Sequence, residues 1–168
     1  MGTMMRVARN GGLALFLAVG FTALLHAPAL ADAEAVVKNL QGAASMAESI
    51  AATPVFLRRG MKVPAGRLIT TAEGAVLLLE LPGGHEATLG PRATTARWSG
   101  ETLKTISLTV YGGQSSHRVA RVGEGMQYRV VTPTNVVGVR GTEFSVAVAE
   151  NGAARTEVKK GEVATGDE

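Results

Sequence analysis

The chain has 168 residues, a length that suggests a single domain. It carries 17 Lys and Arg against 14 Asp and Glu with no dense basic cluster, so the electrostatic footprint of nucleic-acid binding is missing. It has no cysteine, which excludes a disulfide framework. Aromatic residues make up only 4% of the chain, so an aliphatic core is expected, and the valine-rich second half favours β-strands.

The N-terminus has the layout of a secretory signal peptide. Arg6 and Arg9 precede an unbroken apolar run at residues 11–25, and a small-x-small pattern follows at residues 29–31. We expect cleavage after Ala31. An uncleaved membrane anchor is the alternative, but the apolar run is shorter than the about 20 residues that a spanning helix needs.

The predicted organisation is therefore a signal peptide at residues 1–31 and one β domain at residues 32–168. Its expected location is periplasmic or secreted, with no stable membrane span after signal cleavage. Without disulfides, the domain must be stabilised by apolar burial and hydrogen bonds, for which its length is sufficient.

Two structures remain open for residues 32–54, DAEAVVKNLQGAASMAESIAATP. The alanines and glutamates favour a short helix on propensity. The stretch VVKNLQGAA instead resembles a first β-strand that ends at Gly42.

From residue 53 onward, short segments are separated by glycine and proline. KTISLTVYGG, residues 104–113, and FSVAVAENG, residues 144–152, alternate apolar and polar positions, and Asn151-Gly152 is typical of a hairpin turn. No segment of helical length and period follows residue 52. The sequence predicts an all-β fold of short strands in a twisted, solenoid-like or sandwich arrangement, with a partial barrel also possible.

Few residues are suited to catalysis. His85 and His117 are the histidines of the mature chain, and neither has an acid nearby in sequence to orient its ring, so both are expected as surface or turn residues. Two isolated histidines without cysteine make a poor metal site. Trp98 is either a binding aromatic or a structural one, and the structural role is favoured. We expect no enzyme activity and no cofactor.

The stretch VVTPTNVVGVRGTEFSV, residues 130–146, is the most informative. Pro133 cannot donate a ladder hydrogen bond and so fits the start or edge of a strand. Thr132, Thr134 and Asn135 have side chains that hydrogen-bond the backbone of a turn. These residues therefore predict a turn between two strands.

Arg140 lies between Gly138 and Gly141, two residues that tolerate unusual backbone angles or close approach of another strand. Its planar guanidinium suits a carboxylate or a group of carbonyl oxygens. Candidate partners are Glu143, Glu150 and Glu157. We expect Arg140 to tie this turn to its own sheet rather than to contact a ligand.

This stretch resembles the signature of FecR-type domains, in which a Thr-Pro pair and a Gly-x-Arg-Gly-Thr-x-Phe run lead into an alternating strand. Upstream, VPAGRLITTAEGAVLLLELPGG and ATLGPRATTAR are similar to the preceding parts of the same family. The family motif residues, expected to be mainly structural, are Thr132, Pro133, Gly138, Arg140, Gly141, Thr142, Glu143 and Phe144.

The resemblance implies a non-enzymatic binding or signalling module of the bacterial cell envelope. Founding members couple a sigma-factor segment and a membrane helix to a periplasmic FecR domain and a receptor-contacting domain, in iron-citrate signalling. This chain has only a short segment before its apolar run, so we do not expect it to regulate a sigma factor by itself. The alternative is a structural or assembly protein that docks on peptidoglycan, polysaccharide or another envelope protein. The expected partner is therefore an envelope protein or polysaccharide, and not nucleic acid.

The role assigned to Arg140 gives a first prediction. Arg140→Ala should lower the thermal midpoint strongly, because the carboxylate or carbonyls held by the guanidinium would lose a charge-assisted partner. Thermal unfolding followed by circular dichroism measures the change. Unchanged melting would instead assign Arg140 to ligand contact.

Overall fold

The computed structural model describes residues 34–102, 105–120, 127–139, 141–160 and 163–166. This part of the chain is nearly all-β and forms a curled, mostly antiparallel sheet shaped like half of a barrel. The predicted signal peptide at residues 1–31 and Arg140 lie outside the described residues. Among those described, no helix combines the length and the apolar character needed to span a membrane.

Fourteen strands follow one another along the described residues, with a single turn of 3-10 helix at Pro82–Gly84. Strand β9 is the longest, with 14 residues. The strands are β1 (Glu34–Gln41), β2 (Ala44–Ala47), β3 (Val55–Phe56), β4 (Lys62–Pro64), β5 (Leu68–Thr71), β6 (Val76–Leu81), β7 (His85–Leu89), β8 (Thr94–Thr102), β9 (Thr105–Arg118), β10 (Gln127–Val131), β11 (Val136–Val139), β12 (Glu143–Val148), β13 (Ala154–Lys160) and β14 (Val163–Gly166).

The sheet has two faces that share strand β9. The first face has the strand order β4-β1-β6-β7-β9-β12-β13. The second face has the order β3-β2-β5-β8-β9-β10-β11-β14. Neighbouring strands pair antiparallel, except that β9 and β10 run parallel. Buried side chains from both faces meet in one hydrophobic core.

Strand β9 can belong to both faces because it bends at two adjacent glycines. Up to Gly112 it pairs with β8, and from Gly113 onward it pairs with β12. Gly113 has a φ of 94°, in the left-handed region, and a Cβ at this position would lie 2.3 Å from the carbonyl oxygen of Ala93. A Cβ at Gly112 would have no atom within 4 Å, and its φ lies outside that region. The bend therefore requires glycine at position 113 but not at 112.

Trp98 is a structural residue, as the sequence favoured. Its side chain is fully buried in the core on strand β8. The indole Nε1 donates a hydrogen bond of 3.1 Å to the carbonyl oxygen of Val63 on strand β4, which belongs to the other face. A buried indole needs such an acceptor, so this bond also fixes β4 against the second face.

The prediction of an all-β fold is confirmed. Of the solenoid, sandwich and partial-barrel arrangements left open by the sequence, the structure has a curled half-barrel. Residues 34–41 and 44–47 are strands, which confirms the extended structure over the helix for this segment. Asn151 and Gly152 form the turn between β12 and β13, where the amide of Gly152 donates to the carbonyl of Ala149 over 2.9 Å.

Candidate functional site

The described motif residues lie in the loop between β10 and β11, on β11, in the connection to β12, and at the start of β12. Thr132 closes the turn: its hydroxyl donates to the carbonyl of Asn135 over 3.0 Å and accepts from the Asn135 amide over 2.9 Å. Pro133 is exposed at the tip of this turn, and Thr134 donates to the carbonyl of Gly152 over 3.4 Å. These contacts agree with the turn that the sequence predicts.

The two motif glycines differ in conformation. Gly138 lies within strand β11, opposite Arg129 on β10 and Ala164 on β14. Gly141 has a φ of 66°, which a residue with a Cβ adopts only at a cost. It connects β11 to β12, so the chain crosses here from the second face to the first. Because the structure does not describe Arg140, the expected tie from that side chain stays a prediction.

Strand β12 carries two motif side chains to opposite sides of the first face. Phe144 points into the core and stacks on the ring of His117, with the ring centroids 4.8 Å apart. Glu143 points outward and accepts a hydrogen bond of 3.1 Å from Nε of Arg118. The same guanidinium donates through Nη1 to Glu86, 3.2 Å away. Glu143, a candidate partner of Arg140, therefore has Arg118 as a partner.

A shallow depression of about 300 Å³ lies over this Arg118 cluster. Glu86, Arg118, Glu143 and Lys159 supply its charges, and Thr88, Ser116 and other residues complete its lining. Arg118 is bonded to both carboxylates, so much of this charge is compensated within the protein. Exposed ion pairs of this kind contribute little to stability, about 0–1 kcal/mol each.

A buried polar cluster lies beneath this surface. His117 contacts the hydroxyl of Tyr128 through Nδ1 and the hydroxyl of Ser115 through Nε2, at 2.9 Å in each case. All three residues are buried. Both hydroxyls can donate or accept, so a neutral His117 ring satisfies both contacts in either tautomer. The cluster joins β9 of the first face to β10 of the second.

Burial sets the ionisation of this cluster. It lowers the pKa of His117 to about 3 and raises the pKa of Tyr128. Both groups are therefore neutral near pH 7. A neutral His117 bonded to a buried serine and a buried tyrosine therefore links the two faces.

The expectation that His85 and His117 are surface or turn residues is wrong. Both are buried, and His85 begins strand β7 after the glycine turn. The His85 ring lies 5.2 Å from the Tyr128 ring, burial lowers its pKa, and its Nδ1 has no hydrogen-bond partner within the described part of the chain. No local pattern indicates these contacts, because Tyr128 is brought near His117 by the pairing of β9 with β10.

The charged and histidine side chains of the described residues do not gather into a metal site. Within the described ranges, no group of three or more histidines and acids lies close enough to hold an ion. Of the exposed residues, Tyr111 is the large aromatic side chain at the β9 bend, beside a second and larger depression of about 490 Å³.

Comparison with known proteins identifies the family. The model of the FecR protein family matches residues 67–164, which is more than half of the chain. The matched range runs from just before β5 into β14, so it includes the motif, the buried polar cluster and the β9 bend. No match was found among curated proteins or among solved structures.

The lowered pKa of His117 predicts a pH dependence of stability. The unfolded chain has the ordinary histidine pKa of about 6.5, so it binds a proton before the folded chain does as the pH falls. The stabilisation is complete above that pH and is lost on the way down toward the folded pKa. Between about pH 6 and about pH 5, His117 should contribute a loss of about 1 kcal/mol in the free energy of unfolding.

Urea unfolding at several pH values measures this loss. His117→Phe should be less stable but should show a shallower fall between those pH values. Ser116→Ala, which changes the adjacent outward-facing residue, should keep the slope of the unmodified protein. Equal slopes in all three proteins would contradict the assignment of a buried, neutral His117.

Proposed function

Because this chain belongs to the FecR protein family, which comprises signalling and regulatory proteins, we propose that it is a non-enzymatic binding or signalling module of the bacterial cell envelope. The family match is the observation that carries the proposal. The module acts in the periplasm or after secretion, following export by the N-terminal signal and cleavage after Ala31. A link to iron-responsive signalling, as in founding members, is part of the proposal.

The structure of the polar groups supports a non-enzymatic role. A nucleophile, a base and an acid could in principle be supplied by Ser115, His117 and Tyr128. All three side chains are buried, and the His117 ring is hydrogen-bonded to the other two. Catalysis by such groups needs contact with the substrate. On the surface above them, Arg118 is held between two carboxylates. The buried cluster and the Arg118 ion pairs therefore stabilise the β-sheet domain, whose surface can present binding sites.

A second function is favoured by the exposed edge of the second face. Strand β3 pairs only with β2 among the described strands, and Val55 and Phe56 on it are both exposed. An exposed edge with apolar side chains can take an additional strand from a partner. This observation supports the protein-docking form of the structural alternative, in which the chain docks on another envelope protein without signalling.

Cell fractionation together with transcription profiling tests the proposal. The tagged chain should be found in the periplasmic or envelope fraction, and its deletion should change transcription, with iron-limited cultures testing the iron link. A control variant with Leu15→Arg and Val19→Arg, which breaks the apolar run, should stay in the cytoplasm.

The outcomes separate the two functions. Stable co-purification with envelope material and unchanged transcription would favour docking over signalling. Cytoplasmic retention of the unmodified chain would overturn both.

A further inference from the structure

The larger depression lies where strand β9 passes from the second face to the first, and it is called the bend groove here. Gly112 and Gly113 of strand β9 line it between the ends of β8 and β12. One wall is the segment before β8, with Arg92, and the opposite wall is the end of β12. The volume of about 490 Å³ is in the range of small-ligand sites. The lining residues are Glu73, Arg92, Ala93, Thr95, Tyr111, Gly112, Gly113, Val148, Ala149 and Glu150.

The wall that carries Arg92 is held in place by hydrogen bonds. The hydroxyl of Thr94 donates to the carbonyl of Arg92 over 2.7 Å and accepts from the amide of Gln114 over 3.0 Å. The amide of Ala93 donates to the carboxylate of Glu73 over 3.1 Å. The shape of this wall is therefore set before any ligand arrives, which lowers the entropic cost of binding.

The opposite wall is fixed by its own turn. The amide of Ala153 donates to the side-chain oxygen of Asn151 over 3.0 Å, and the Ala149 amide donates to the Ala153 carbonyl over 2.9 Å. Glu150 is exposed at the top of this turn. Its carboxylate has no described ion-pair partner and faces solvent beside the groove.

Position 112 lines the groove without a side chain. The fold requires glycine at 113, where a Cβ would meet the Ala93 carbonyl, but a Cβ at 112 would meet nothing within 4 Å. A larger residue at 112 could therefore be accommodated by the backbone, and it would add a side chain to the lining of the groove. Glycine at position 112 is thus a feature of this sequence that the backbone contacts do not demand.

The lining combines one aromatic ring with both signs of charge. Tyr111 is 46% exposed on a strand whose other apolar side chains are buried. Glu73 and Glu150 can accept hydrogen bonds from hydroxyl groups, and Arg92 can donate them. With two carboxylates and one guanidinium, the lining has a net negative charge, which disfavours the binding of a polyanion. A wholly apolar ligand would leave these charged groups desolvated without partners.

We propose that the bend groove binds an uncharged glycan. A sugar ring has an apolar face that can lie on Tyr111 and a rim of hydroxyl groups that matches Glu73, Arg92 and Glu150. This inference rests on the proposed envelope function and specifies its ligand class. The two surfaces are thereby assigned different partners: a glycan at the bend groove and a protein strand at the β3 edge.

Isothermal titration with uncharged oligosaccharides tests the inference, with chitohexaose, cellohexaose and laminarihexaose as the probes. The purified chain should bind at least one of them. Tyr111→Ala, which removes the stacking ring, and Gly112→Leu, which adds a bulky side chain to the groove lining, should each weaken binding about tenfold or more. Thermal melting of both variants should stay close to that of the unmodified chain.

Phe56→Ala is the matched control, because it removes another exposed aromatic ring on a strand outside the groove. It should leave glycan binding unchanged. The inference is overturned if no probe binds, or if Tyr111→Ala and Gly112→Leu bind as well as the unmodified chain. It is also overturned if binding is lost in Phe56→Ala instead, which would move recognition to the β3 edge.

These failures are distinguishable from failure of the proposed function. A chain that reaches the envelope but binds none of the three oligosaccharides would refute the glycan inference alone. A chain retained in the cytoplasm would refute the envelope function, whatever it binds in solution.

Discussion

The close approach of Gly113 to Ala93 and Thr94 is the contact on which the rest of the structure depends. At this point strand β9 leaves the second face and enters the first, and a Cβ at Gly113 would lie 2.5 Å from the Thr94 hydroxyl. The same hydroxyl bonds both Arg92 and Gln114. A strand that bends here can pair with β8 and β10 on one side and with β7 and β12 on the other. Without the bend, the two faces would have no common strand to align them.

The bend also explains why polar residues are buried in an aliphatic core. Beyond Gly113, strand β9 turns Ser115 and His117 inward, where Tyr128 from the other face supplies a hydroxyl. Phe144 from the motif strand covers the His117 ring. Buried polar groups that are fully hydrogen-bonded specify one arrangement of neighbours, because any other would leave them unsatisfied. The FecR motif and the bend thus meet at His117.

Local patterns predicted much of the fold. The alternation of Ile106, Leu108 and Val110 correctly gave the first half of β9, and the Asn151-Gly152 pair gave the turn between β12 and β13. The sequence did not show that β9 continues past Gly113, because adjacent glycines after an alternating run usually mark an end. The inward positions 115 and 117 are polar, so apolar alternation could not reveal them.

The site was less predictable because its contacts join residues that are distant in sequence. Glu143 was one candidate partner of Arg140 in the sequence; in the structure β12 lies antiparallel to β9 and brings Arg118 to it from 25 residues away. The same strand pairing buries His117 under Phe144. The bend groove likewise needs three separate segments, around residues 73, 92 and 150, that only the bend brings together. Such placements follow from topology, which single-sequence patterns do not encode.

The most direct measurement compares two alanine substitutions at adjacent positions of the bend. Gly113→Ala should lower the free energy of unfolding by about 2 kcal/mol or more, because it adds a Cβ in the left-handed region and against the Ala93 carbonyl. Gly112→Ala should change it by less than about 1 kcal/mol, since its Cβ meets nothing. Denaturant unfolding of the two variants gives both values. Equal, small losses would contradict a fold that depends on the bend at Gly113.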